Sequence, residues 1–173
     1  VIVGGPPCQG FSTANRWQKE EDDPRNKLFF QYLRFVKILK PKIVMIENVR
    51  GLLTRDNGYA INRINTLLSE MGYITQSAVL DASEYGVPQN RKRAIIVGLL
   101  NHTTSFDFNA ITKLEKVTVE DAIGELVQFE HSEGEYILSQ DPISNYRKYR
   151  RRSDNRVPNH ATVYPAQKVQ ERI

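Results

Sequence analysis

Short apolar runs alternate with helically spaced apolar residues through the first hundred positions, and that rhythm restricts the fold more than any other feature. Val1-Ile2-Val3 reads as a buried strand ending at Gly4-Gly5. Asp23-Pro24 has the form of a helix start, with Asp as cap and Pro at the first helical position. Leu28, Tyr32, Phe35, Val36 and Leu39 then form an apolar stripe that stops at Lys40-Pro41. Ile43-Val44-Met45-Ile46 is a second strand. Ile61, Ile64, Leu68 and Met71 make a second helical stripe, with Gly72 as its C-cap. Strands are expected again over 73–80 and 94–100. This order predicts an α/β fold, part of a doubly wound sheet with right-handed crossovers. The last two strands, separated by a loop holding Gly86 and Pro88, are expected to close as an antiparallel pair.

Beyond residue 101 the pattern loosens. Thr118-Val119-Glu120-Asp121 has the form of a capping box for a short helix through Leu126. Residues 128–160 read mostly as loop, and Pro165 as the start of a final helix. The chain divides on this reading into an ordered body, 1–100, and a loop-rich segment, 101–173. Charge divides in a related way. Residues 1–140 carry 16 Lys and Arg against 17 Asp and Glu, whereas 141–173 carry 8 against 3. The excess centres on Tyr146-Arg147-Lys148-Tyr149-Arg150-Arg151-Arg152, a run suited either to phosphate contact with ring packing or to a solvated loop.

A single cysteine excludes an internal disulfide and the multi-cysteine zinc sites, and fits a reducing, cytosolic setting. No apolar run is long enough to span a bilayer and no secretory signal is visible, so no membrane partner is expected. The chain opens on Val1 within an apolar run, as expected of a piece of something longer.

Ligands of open α/β sheets bind beyond the carboxyl ends of the parallel strands. The first strand runs into Pro6-Pro7-Cys8-Gln9, the second into Glu47-Asn48-Val49, and Gln89-Asn90-Arg91-Lys92-Arg93 precedes the fourth. If the fourth strand is antiparallel, a thiol, a carboxylate and two arginines meet at one edge. Each has a plainer alternative. A lone cysteine can be a small buried hydrophobe, Glu47 a strand-end carboxylate reaching water, and 89–93 a solvated loop. A buried Glu47 could instead serve as a proton donor. The two arginines sit two apart on one side of an extended segment, where they could share an anion or orient a carboxylate.

Together these motifs resemble those of the cytosine-C5 DNA methyltransferases of the bacterial modification-methylase type. Val1 to Ser12 resembles the family's nucleophile motif, Glu47-Asn48-Val49 its ENV motif, and Gln89-Asn90-Arg91-Lys92-Arg93 its QxRxR motif, in the same order and with similar spacing. The resemblance is firm over 1–100 and looser through 118–126 and 159–173. It implies methyl transfer from S-adenosylmethionine to C5 of a cytosine flipped out of double-stranded DNA. Cys8 would attack C6 as the thiolate. Glu47 would hold or protonate N3 and the exocyclic amino group, Arg93 would meet the base carbonyl oxygen, and Arg91 would orient Glu47 and reach a phosphate, although the two arginines could exchange these roles. Pro7, Gln9, Asn48 and Gln89 would support the site, and Ser12, Arg91, Arg147, Lys148, Arg150 and Arg151 would contact DNA. Residues 10–27 would correspond to a loop that closes on DNA.

The resemblance also implies a cytoplasmic, nucleoid-associated protein, allows for a cognate restriction endonuclease, and calls for no metal. The family's N-terminal cofactor-binding strands and target recognition domain have no counterpart in this sequence, so 101–173 is expected to lead toward the latter, and weak cofactor binding by this chain alone is expected. Three alternatives remain at this point: a truncated remnant that binds nucleic acid without catalysis, a cysteine hydrolase drawing its base from His102, His131 or His160, and an RNA substrate in place of DNA.

Overall fold

A computed structural model describes residues 1–7, 27–129, 136–137, 146–147 and 156–157. The chain forms two compact units: Val1–Tyr85 with Asn90–Leu114, and Gly86–Gln89 with Glu115–Ile173.

The first unit is an α/β layer built on a four-stranded mixed sheet. Its elements are β1 (Ile2–Gly4), α1 (Lys27–Leu39), β2 (Ile43–Val49), α2 (Tyr59–Glu70), β3 (Tyr73–Asp81) and β4 (Lys92–Leu100). The spatial order is β1-β2-β4-β3. β1 runs parallel to β2, with Gly4 beside Ile46. β4 is antiparallel to both β2 and β3. The expected β3–β4 pair is therefore present, and β4 also slots between β2 and β3. The carboxyl ends of β1, β2 and β3 and the start of β4 consequently share one edge.

Register decides which residues face the helices. Val44 lies opposite Gly98 and Ile46 opposite Ile96, so these side chains share a face. On that face Val44, Ile46, Ala94 and Ile96 pack with Phe29, Leu33 and Val36 of α1, with Ile61, Ile64 and Leu68 of α2, and with Tyr73. The sheet closes tightly here: a methyl group on Gly98 would stand 2.7 Å from Val44 Cγ2. Glu47, Arg93 and Ile95 fall on the opposite face by the same alternation.

The α1 stripe differs from its expected composition. Phe29, Leu33 and Val36 are buried, whereas Leu28, Phe35 and Leu39 are exposed. Nine of the thirteen residues of this helix are apolar or aromatic, so it carries two candidate faces, and spacing alone does not choose between them. Tyr32 fixes the outcome. Its hydroxyl donates to Met45 O at 3.1 Å, with Ile2 O at 3.5 Å, which ties α1 to both β2 and β1. Burial, helped by the nearby Tyr73 phenol, pushes the Tyr32 hydroxyl up to about 12. The helix ends with Lys40 in the left-handed region at φ 42°, just before Pro41. The expected start at Asp23-Pro24 lies outside the described residues. Gly72, at φ 86°, follows the last turn of α2, where its N–H bonds to Ser69 O.

In the second unit, Thr118 and Asp121 form the expected capping box. The Thr118 hydroxyl accepts from Asp121 N, and the Asp121 carboxylate accepts from Thr118 N. The helix α3 (Val119–Ile123) passes into a 3-10 turn, Gly124–Phe129, and a two-residue ladder joins β5 (Tyr136–Ile137) to β6 (Arg156–Val157). The Thr118 hydrogen bonds hold the Asp121 carboxyl below the usual range. Pro165 lies outside the described residues.

Candidate active site

The edge where β1 and β2 end, and β4 begins, gathers the polar groups of the first unit. Parallel pairing of β1 with β2 places Gly5-Pro6-Pro7 next to Glu47 and Asn48. Because successive side chains alternate, these two residues do different things. Asn48 turns toward the β1 exit and its amide donates to Pro6 O at 2.9 Å, pinning the backbone two residues before Cys8. Glu47 turns to the other face. A methyl group on Gly5 would stand 3.2 Å from Glu47 Oε2, so glycine there leaves the carboxylate its room.

Arg93 completes the pair. Glu47 lies opposite Ile95, which makes Arg93 its diagonal cross-strand neighbour on the same face. The Arg93 Nε is 2.8 Å from Glu47 Oε1, with 27% of the Arg93 side chain and 40% of the Glu47 side chain exposed. Glu47 is thus half open to solvent rather than buried. The guanidinium and carboxylate fix each other's orientation at the edge. Of the two arginines it is Arg93 whose guanidinium is paired with Glu47, where the resemblance implies Arg91 or, with roles exchanged, Arg93.

Arg91 is anchored differently. Its backbone N–H donates to Asp81 Oδ1 at 3.2 Å, and its side chain is exposed. Asp81 also accepts from Ser83 N and Ser83 Oγ, and faces Lys92 at 4.0 Å. Asp81 is not among the residues that the sequence motifs single out. An Asp at a strand end followed by Ala-Ser is a recognisable turn former, and it was the available signal.

The other expected residues divide clearly. Pro7 is exposed beside the edge. Cys8, Gln9, Ser12, Lys148, Arg150 and Arg151 lie outside the described residues. Gln89 is exposed and belongs to the second unit. Arg147 needs correction as a phosphate contact. It is 3% exposed, its Nε donates to Asp121 O at 3.0 Å, and its Nη2 donates to Glu120 O. The carboxylates of Glu120 and Glu125 flank it at 3.8 and 4.0 Å. A buried guanidinium needs such partners, and they make Arg147 a brace for α3.

Among the described residues no group of three or more His, Cys, Asp or Glu side chains could hold a metal ion, and no helix is long and apolar enough to cross a membrane.

Comparison of the chain with known proteins identifies its family. The chain is 36% identical over 183 residues to the Type II methyltransferase M.DdeI of Desulfomicrobium norvegicum, covering 99% of this chain and 43% of that protein. It is 40% identical over 126 residues to the Type II methyltransferase M.MthTI of Methanothermobacter thermautotrophicus, covering 72% of this chain and 38% of that one. A solved structure described as a DNA modification methyltransferase encoded within an Escherichia coli prophage superposes with a TM-score of 0.60 at 26% identity, over 85% of this chain and 42% of that one. The chain therefore spans well under half the length of these relatives. The family model for C-5 cytosine-specific DNA methylases matches residues 1–171, and the chain belongs to that family.

Proposed function

We propose that this chain carries the cytosine-activating part of a DNA (cytosine-5-)-methyltransferase acting through a covalent enzyme–base intermediate. The observation that carries the reading is the Arg93–Glu47 pair at 2.8 Å, on the sheet edge where the backbone leading to Cys8 is pinned by Asn48.

The chemistry explains the residue types. A neutral cytosine is a poor nucleophile at C5. Addition of the Cys8 thiolate to C6 forms a C–S bond and pushes an electron pair toward C5 and N3. Glu47, oriented by Arg93, meets that change by hydrogen bonding or protonating N3 and by accepting from the exocyclic amino group. Arg93, on the same face, also donates to the base carbonyl oxygen. After methylation, loss of the C5 proton to water and return of any N3 proton to Glu47 give back the electron pair, expel Cys8 as the thiolate and restore the aromatic ring. These contacts require the base outside the duplex stack, so the target cytosine is flipped.

S-adenosylmethionine supplies the methyl group in this reading. We assign the cofactor no contact among the described residues. Double-stranded DNA is the substrate, contacted through Ser12, Arg91, Lys148, Arg150 and Arg151, with Arg147 left out because it is buried. Pro7, Gln9 and Gln89 support the nucleophile and arginine segments. A cytoplasmic, nucleoid-associated enzyme fits the same reading, and the Type II names of the relatives support a cognate restriction endonuclease.

The test is methyl transfer by the intact gene product, with S-adenosylmethionine labelled in its methyl group and duplex DNA as acceptor. Label recovered at C5 of cytosine, and lost in Glu47→Gln, supports the proposal. Label in RNA alone, or at another base position, overturns it.

A further inference from the structure

Asp81 ends β3 and Lys92, its cross-strand partner, begins β4. Between them the chain leaves the sheet and returns at Arg91. One carboxylate oxygen spans that departure and return: Asp81 Oδ1 accepts from Ser83 N at 3.1 Å, from Ser83 Oγ at 3.0 Å and from Arg91 N at 3.2 Å. Ala82 N donates back to Arg91 O at 3.1 Å, so the neighbouring backbone closes the same ring. Asp81 Oδ2 faces Lys92 at 4.0 Å. The Ser83 backbone N–H above all, with the Ser83 hydroxyl, the Arg91 N–H and Lys92, holds this carboxyl below the usual range. The acceptor is therefore a carboxylate at any neutral pH.

We infer that Asp81 is a positioning residue for DNA binding: its carboxylate clamps Ser83 and Arg91 together and so fixes the backbone from which the exposed Arg91 side chain reaches a phosphate. The inference rests on the proposed DNA methyltransferase reading but goes beyond it, because Asp81 itself touches neither base nor DNA. A residue that loses its backbone anchor must be ordered anew on binding, and the cost of that ordering comes out of affinity. Arg93 is insulated from this effect, since β4 is paired on both sides.

The experiment uses the intact gene product, random-sequence duplex DNA at one fixed salt concentration, and a double-mutant cycle. Asp81→Ala is expected to weaken DNA binding about tenfold, the order of one charge-assisted contact. It should add nothing further in an Arg91→Ala background. Asp81→Asn, whose amide oxygen still accepts from both N–H groups, should restore binding to within about threefold, as expected when only part of a charge-assisted bond is lost. Hydrogen exchange at the Ser83 and Arg91 amides should quicken in Asp81→Ala and stay slow in Asp81→Asn. If Asp81→Ala does not fold, Asp81→Ser takes its place, because its shorter side chain cannot bridge both amides. Unchanged Arg91 exchange overturns the inference, as does a binding loss that adds in full to that of Arg91→Ala. A protein that shows the exchange effect but methylates no DNA overturns the functional reading and leaves the clamp standing.

Discussion

Arg93 Nε and Glu47 Oε1 lie 2.8 Å apart across two antiparallel strands, as diagonal neighbours on the face of the sheet opposite α1 and α2. The pair is set by register, because a one-residue slip of β4 would turn Arg93 to the other face. Its effect is to fix the orientation of the Glu47 carboxylate.

Removing the orienting group should therefore damage catalysis more than binding. Arg93→Ala is expected to lower kcat by about 10²- to 10³-fold, the range for loss of one preorganised electrostatic group. Arg93→Lys should recover little, because an ammonium cannot reproduce the planar geometry. Steady-state kinetics on duplex DNA check this. A change in KM alone would assign Arg93 to uniform substrate binding.

Gly5 gives a sharper probe of the same carboxylate. A Cβ there stands 3.2 Å from Glu47 Oε2, so Gly5→Ala must displace the carboxylate by a few tenths of an ångström. About a tenfold loss of kcat is expected, since small misplacements of reacting groups are costly. The melting temperature should barely change, and thermal unfolding beside kinetics separates the two effects.

Gly98→Ala tests packing instead. The new methyl would meet Val44 Cγ2 at 2.7 Å, inside the helix-covered face of the sheet. A destabilisation of about 1–3 kcal/mol is expected, the usual range for overpacking. Chemical denaturation measures it, and an unchanged midpoint would contradict the described register.

Tyr32 links stability to alkaline pH. Its hydroxyl is raised from 10.0 to about 12 in the folded chain, mainly by burial. The folded state therefore holds the proton longer than the unfolded state does. The associated stability is fully present below pH 10 and is lost as pH rises through 12. Denaturant unfolding of wild type and Tyr32→Phe should show the wild-type advantage closing across that window. Curves that fall in parallel would assign the effect to other groups.

Much of the fold was legible because its strands are apolar and its helices periodic. The strands over 73–80 and 94–100 were found nearly at their true limits, and the Thr118–Asp121 box was read from four residues. The entry of β4 between β2 and β3 was not legible, since periodicity along a chain carries no information about spatial order. β4 also begins two residues early, at Lys92, because charged residues at a functional edge hide a strand from an apolar search. On α1, Leu28 and Phe35 look as suited to the core as Phe29 and Leu33, and the Tyr32 hydrogen bonds that decide between the faces involve backbone atoms no pattern reveals. The meeting of Glu47 with an arginine was anticipated from strand ends. Which arginine it meets depends on register, and Arg147, read as part of a basic run, turned inward to hold backbone carbonyls.

In the proposed reaction Cys8 adds to cytosine while Glu47 and Arg93 hold the ring. The most direct measurement incubates the intact gene product with S-adenosylmethionine and duplex DNA containing 5-fluorocytosine, whose fluorine blocks the final elimination. A stable protein–DNA adduct is expected that maps to Cys8, disappears in Cys8→Ser and forms far more slowly in Arg93→Ala. An adduct at another residue, or none from a protein that binds the same DNA, would contradict it.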